Sequence, residues 1–365
     1  MSDLLALAQR LIAYDTCEPD GLRKCSGFIK GWLEARGIEA REEAVRDLPV
    51  LFAEVGPDDA PTVVLHGHID VVPAYPEQFV PRIEGDRLIG RGSYDMKGAL
   101  AAMLSAFADL RDQDGVRVRL GIVADEEDED TDNKASDFMV DSGFIGDFAI
   151  TGEPTDMHIG VEAKGVLAVR LEVLGRAAHG STPWLGDNAV LKAIDVFRSI
   201  ESLPFTRESS AFFDRPSINL GRIWGGDALN KVPDRCVIDV DIRYLPGQDL
   251  EEVLGQVSDL PGCKVLSTFT RPPASVERDS VYLQALSEAA SAVGSRETLS
   301  VGRDGSSDAV SFLRAGVPAV EYGPLGEGHH GPDEWVSIAS LGTYRDVLRR
   351  FLEDLPSRLG EASDG

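Results

Sequence analysis

The stretch TVVLHGHIDVV (62–72) is a short apolar run that ends in polar residues, the pattern of a strand buried in a parallel sheet. Beyond it, MKGALAAMLSAFADL (96–110) spaces Met103, Phe107 and Leu110 at helical intervals, and VRVRLGIVAD (116–125) sets Val116, Val118, Leu120 and Ile122 in alternation with Arg117 and Arg119. DFAITGEP (147–154) reads as another short strand, stopped by Pro154. Strands alternating with helices predict a parallel-rich α/β domain with right-handed crossovers. The opening MSDLLALAQRLIAYD (1–15) is too acidic and too quickly polar for a signal peptide, and reads as an amphipathic helix.

The middle of the chain has a different rhythm. Strand-like 166–175 is followed by a helix over 187–203, two strands at 216–226 and 234–246, a helix over 249–260 and a strand at 263–270. The order β-α-β-β-α-β is the ferredoxin-like pattern. A helix near 280–293, a strand at 316–323 and a helix at 341–355 restore the α/β character. The expected architecture is therefore an α/β catalytic domain over 1–162 and 276–365, interrupted by an inserted α+β domain over 163–275.

Charge excludes several classes of partner. With 36 Lys+Arg against 62 Asp+Glu, the 365-residue chain carries −26, which repels nucleic-acid phosphates and anionic membranes. No apolar run reaches the roughly 20 residues of a membrane span. A soluble, cytoplasmic protein with no nucleic-acid or membrane partner is expected. The four cysteines, 17, 25, 236 and 263, lack metal-knuckle or redox spacing and read as reduced thiols.

Chemistry-bearing residues collect after the strand-like runs, the edge at which open α/β sheets bind ligands. HGHID sets His68 and Asp70 two residues apart, on one side of an extended segment, where a carboxylate can orient a metal-binding imidazole. By itself that pair also suits a hydrogen-bonded structural histidine. Asp95 opens a helix between glycines, a place that capping alone would explain. Seven of the eight residues in DEEDEDTD (125–132) are acidic, the usual look of a solvated loop, and only the position after a strand singles out Glu126 and Glu127. TGEP places Glu153 directly after a strand, and GEGHHGPDEW places His329 and His330 on a Gly-rich loop. Two histidines with three or four carboxylates form an N/O donor set suited to Zn²⁺, Mn²⁺ or Co²⁺. A shared carboxylate can hold two such ions about 3.5–4 Å apart, to polarise a carbonyl and generate hydroxide near neutral pH.

Together HGHIDVVP (66–73), GRGSYDMKGAL (90–100), ADEED (124–128), TGEPT (151–155), AAHGSTP (177–183), ALNKVPD (228–234), DIR (241–243) and HHGPDEW (329–335) resemble, in order, the co-catalytic dizinc metallopeptidase and amidohydrolase family. That family includes acetylornithine deacetylase, succinyl-diaminopimelate desuccinylase, aminoacylase and glutamate carboxypeptidase. The resemblance covers residues 5 to 355. It implies that His68 and Glu153 hold one metal, Glu127 and His330 the other, and that Asp95 bridges them, followed by a cis peptide at Asp95–Met96. His330 is preferred to His329 because the family pattern is His, two residues, Asp-Glu.

By the same resemblance Asp70 orients His68, and Glu126 is the general base and acid. The inserted domain becomes a lid and dimerisation domain, whose His179 reaches the neighbouring subunit's site to stabilise the oxyanion. Asn230 and Arg243 would bind the substrate's carbonyl and carboxylate, and Gly305, Ser306 and Asp308 fall at a backbone-rich substrate loop. The implied protein is a homodimeric metal-dependent hydrolase that cleaves the amide of an N-acyl amino acid or short peptide, with two divalent ions, Zn²⁺ first and Co²⁺ or Mn²⁺ in its place. A dipeptidase or aminopeptidase of the same fold is the nearest alternative, and a non-catalytic metal-binding protein the more distant one.

Overall fold

The computed structural model describes residues 2–128, 134–294, 298–305 and 307–363. The chain forms two compact units: Met1–Val161, Val276–Val301 and Asp308–Gly365 make the first, Glu162–Ser275 and Gly302–Ser307 the second.

In the first unit the sheet runs Ala40–Val45, Leu48–Val55, Arg117–Val123, Thr62–His68, Phe148–Thr151, Ala319–Tyr322, Ile159–Ala163. Its centre is parallel, with Leu65 opposite Leu120 on one side and Ile150 on the other. The flanking pairs are antiparallel. The fold is thus α/β with a mixed sheet whose parallel strands include those that read as continuous apolar runs.

Helices cover both faces. On one, the Ala-rich helix Lys97–Asp109 is buried along nearly its whole length and packs against Ile338–Ser363. On the other, Ala135–Asp141 and Ala309–Arg314 bury Met139 and Phe312 with Phe52, Val64, Val123 and Phe144. The helix Pro19–Glu34 and the hairpin Ala40–Val45/Leu48–Val55 have no counterpart in the sequence reading. The hairpin's first strand is an edge that exposes Arg41, Glu42 and Ala44, so it lacks the apolar run that marks the central strands.

The second unit has a sheet in the order Ser217–Gly225, Arg235–Tyr244, Gly165–Leu174, Cys263–Arg271, with every neighbour antiparallel. Helices Ala189–Ile200 and Leu250–Ser258 pack on one face, their N-termini capped by the side chains of Asn188 and Asp249. This lateral order with the β-α-β-β-α-β succession is ferredoxin-like. Period-two burial runs through it: Leu167, Val169, Leu171 and Val173 meet Ile238, Val240 and Ile242 in the core. The opposite face carries cross-strand charge pairs such as Arg170–Asp239 at 2.7 Å.

All four cysteines are free thiols. Among the described residues no helix is long and apolar enough to cross a membrane.

Candidate metal centre

The first unit's central strands end together, and their ends carry the acids and histidines. His68 is the last residue of Thr62–His68, Asp125 to Glu127 follow Val123, Glu153 follows Thr151, and Asp95 precedes the helix Lys97–Asp109. This is the carboxyl edge at which parallel sheets open. The Asp95–Met96 peptide is cis. Met96 lies between two strands that carry glycine where its thioether comes close: a Cβ at Gly67 or Gly152 would stand 2.6 or 2.5 Å from Met96 Cε. Gly323 makes a similar allowance, since a Cβ there would lie 2.2 Å from the Glu153 carbonyl oxygen.

Asp95 is the hub. Its Oδ1 lies 3.2 Å from His68 Nε2, which is in turn 3.7 Å from Glu153 Oε1. Its Oδ2 contacts His329 Nε2 and lies 3.4 Å from His330 Nε2, which is 3.2 Å from Glu127 Oε2. One buried carboxylate therefore presents each oxygen to a separate set of donors. His68, Asp95 and Glu153 converge closely enough to hold a cation, as do Asp95, His329 and His330. Sequence reasoning brings His68, Asp95, Glu127, Glu153 and His330 to this place, and the structure adds His329, which the motif argument passes over.

Asp70 acts on both sides of the cluster. Its backbone carbonyl accepts from His68 Nδ1 at 3.0 Å, its Oδ1 is 3.4 Å from the same nitrogen, and its Oδ2 accepts the Glu127 amide at 2.8 Å. It thus fixes the ring of one histidine and the main chain that presents Glu126 and Glu127. The ammonium of Lys134 continues that task from the far end of the acidic run, donating to the carbonyls of Asp125 at 2.7 Å and Glu126 at 2.6 Å. Asp125 is itself buried and taken up by Arg46 and the Ala135 amide. An apparently solvated charge run therefore contains a structural acid, Asp125, beside the site acids.

The electrostatics are those of a cation site. Burial drives the Glu126 and Glu153 carboxyls well above the ordinary carboxylate range; Asp95 reinforces the rise in both, and His68 opposes it. Burial works against the charged forms of His68 and Asp95 as well. Hydrogen bonds win there, holding the His68 imidazole well above its usual value and Asp95 well below its own. His330, drawn by Asp95 and Glu127, rises to about 10. The buried Glu153 Oε1 lacks a hydrogen-bond partner. Such an unpaired buried oxygen is costly unless a cation completes it, so the donor set fits divalent metal.

Two loops are locked together beneath the hub by a pair that sequence spacing does not reveal. Arg91 donates to Glu334 at 2.7 Å and to the His330 carbonyl at 2.9 Å, while Glu334 accepts the amides of Tyr94 at 2.9 Å and Asp95 at 3.1 Å. Both side chains are buried.

The remaining candidates belong elsewhere. His179, Asn230 and Arg243 are in the second unit. His179 is exposed, its Nδ1 receives the Ser181 amide at 3.2 Å, and its neighbour Gly180 donates to the Asn230 carbonyl at 2.7 Å. Arg243 Nε pairs with Asp241 at 3.1 Å. Gly305 is exposed in the same unit, and Ser306 lies outside the described residues. Asp308 is a buried residue of the first unit, where it accepts from Ser136 and lies 3.7 Å from His66 Nε2. Its burial among helix and strand side chains is that of a packing acid.

The His–carboxylate cluster at the carboxyl edge of an α/β sheet is a candidate metal centre. Residues 64–354 match Peptidase family M20/M25/M40, and the chain belongs to that family. It is 31% identical to a succinyl-diaminopimelate desuccinylase of Leptothrix cholodnii, over 96% of this chain and 98% of that protein. Its fold is similar to an M20 family metallo-carboxypeptidase from Sulfolobus solfataricus, with TM-score 0.81 and 21% identity over 98% of this chain and 100% of the other. It is also similar to a dinuclear metal-binding M20 peptidase from Bacillus subtilis, with TM-score 0.69 and 16% identity over 98% of both chains. The chain is thus a metal-dependent amide hydrolase by family.

Proposed function

We propose that the chain hydrolyses the amide of an N-acyl amino acid, using two divalent ions held by His68 and Glu153 on one side and Glu127 and His330 on the other, with Asp95 shared. The observation that carries this reading is the division of Asp95, whose two oxygens face two separate His/Glu sets. The desuccinylase likeness over nearly the whole chain supports the acyl amino acid as substrate class. Zn²⁺ suits the donors best, and Co²⁺ or Mn²⁺ would fit the same set.

When bound, such ions polarise the scissile carbonyl and acidify water toward neutrality. The carboxylate of Glu126 takes the proton from the attacking water at an Oε and delivers it to the leaving amine nitrogen. Asp70 keeps His68 and the Glu126–Glu127 main chain in place during this transfer. As the family resemblance implies, His179 would reach the neighbouring subunit's site to stabilise the oxyanion, and Asn230 and Arg243 would bind the substrate's carbonyl and carboxylate. Gly305 contributes main-chain contacts.

The chain works as a homodimer through its second unit. Supporting this, the unit exposes Trp184, Leu185, Leu191, Trp224 and Leu229, and its edge strand Ser217–Gly225 is open to pairing. Sedimentation equilibrium is expected to return twice the chain mass, and a monomer at micromolar concentration would contradict the assembly.

A substrate panel tests the reaction itself. N-succinyl and N-acetyl amino acids are assayed beside di- and tripeptides, after chelation and after reloading with Zn²⁺, Co²⁺ or Mn²⁺ separately. Hydrolysis of an N-acyl amino acid that vanishes on chelation and returns with metal is the expected result. Cleavage of peptides alone would move the assignment to a dipeptidase or aminopeptidase, and no cleavage at all would leave a metal-binding protein without this activity.

A further inference from the structure

The turn that carries His330 delivers a second imidazole to the same place. Adjacent side chains on extended backbone point to opposite sides. Here Gly328 and His330 take positive φ, 81° and 60°, and the Gly331 amide donates to the Gly328 carbonyl at 2.7 Å, closing a tight turn. The two imidazoles consequently lie on one side, with ring centroids 4.1 Å apart. A left-handed conformation is unfavourable for histidine, and the turn is held in it by Arg91 on the His330 carbonyl and by Gln78 on the Gly331 and Pro332 carbonyls.

His329 is placed no less definitely than His330. Its ring meets Tyr94 edge to face at 6.3 Å, and the Tyr94 hydroxyl is anchored on Asp156 at 2.8 Å. Although its side chain is about half exposed, its Nε2 is set onto Oδ2 of the buried Asp95, the oxygen that His330 Nε2 also faces. An imidazole with only a surface role would leave that nitrogen in water. Two ring nitrogens and one carboxylate oxygen converging within 4.8 Å of one another form a donor set in their own right.

We propose that His329 is a sixth donor of the metal centre, giving the Asp95 Oδ2 side two imidazoles with Asp95 and Glu127. This rests on the two-ion reading above and goes beyond it, because His329 and His330 then substitute partly for one another. Neither histidine alone would be indispensable for holding the second ion, and loss of both would empty that side.

Equilibrium dialysis against Zn²⁺ with elemental analysis, together with visible spectra of the Co²⁺-loaded protein, tests this without relying on turnover. Wild type is expected to hold two ions. His329→Ala and His330→Ala are each expected to retain both with the second weakened by at least about 10–100-fold, the loss typical of a group that merely supports a ligand. The double variant is expected to hold one. His329→Gln separates ligation from hydrogen bonding, since an amide can still bond to Asp95 but offers no ring nitrogen; it is expected to match His329→Ala in affinity and in an altered Co²⁺ spectrum. If His329→Ala or His329→Gln matches wild type in both measurements, or if His330→Ala alone loses the second ion, the sixth-donor assignment is overturned while the two-ion centre stands. If wild type binds no metal, the two-ion reading falls and takes this one with it.

Discussion

Glu126→Gln is expected to lower kcat by about 10²–10⁴-fold while both metal ions remain bound, because it removes a proton carrier and nothing else. Glutamine keeps the shape of the side chain, and the main chain at this position is held independently by Lys134 on the Glu126 carbonyl and Asp70 on the Glu127 amide. The donors that surround Asp95 are untouched. Steady-state kinetics with parallel metal analysis checks both halves of the expectation. Near-wild-type turnover would remove Glu126 from the chemistry, and loss of metal in step with activity would make it a ligand instead of a base.

Arg91→Met is expected to cost about 3–5 kcal/mol of stability, the usual consequence of removing one partner from a buried ion pair. Glu334 would keep the amides of Tyr94 and Asp95 but lose its opposing charge, and the His330 carbonyl would lose its donor. The deficit has a definite pH dependence. Burial already raises the Glu334 carboxyl above its ordinary range, and Arg91 is among the groups that restrain the rise. Without Arg91 the folded-state pKa climbs further, so the folded protein binds more protons than the unfolded chain between the unfolded value and that raised one. Stability then increases as pH falls through this window, and the deficit is largest at neutral pH. Urea unfolding at pH 7 and pH 5 measures it. Arg91→Met/Glu334→Gln should recover part of the loss by removing the stranded charge, and an unchanged urea midpoint in the single variant would show that the pair contributes nothing.

The central strands and the second unit were legible because burial leaves a periodic signature. A parallel strand covered on both faces favours an apolar run, so 62–68 and 148–151 stand out, while alternation marks 117–123, and likewise 165–174 and 235–244. The edge strand Ala40–Val45 and the small strands Arg82–Glu84 and Arg87–Ile89 escape, since such short segments carry no long apolar run, and the sequence reading also passes over the buried strand Leu48–Val55. Site legibility follows a similar rule. Asp70, Asp95, Glu127, Glu153 and His330 were reached through motif context, because any one of them by itself is as ordinary as a cap or a surface acid. Arg91 and Glu334 lie within the motif segments 90–100 and 329–335 but were given no role there, and Lys134 lies in none; their roles depend on residues brought near by folding.

By itself the amino-acid order marked the central strands and the elements of the second unit, showed that an α+β element interrupts an α/β one, and showed which residue types gather at the strand ends. These are consequences of local periodicity and of short spacings along the chain. Only the tertiary structure decided that Asp95 divides its two oxygens between donors as far apart in sequence as His68 and His330, that Arg91 closes on Glu334, and that a left-handed turn swings His329 to the same side as His330. Those relations depend on distance and direction between segments remote in sequence, and on the burial that makes an unpaired carboxylate oxygen costly enough to call for a cation.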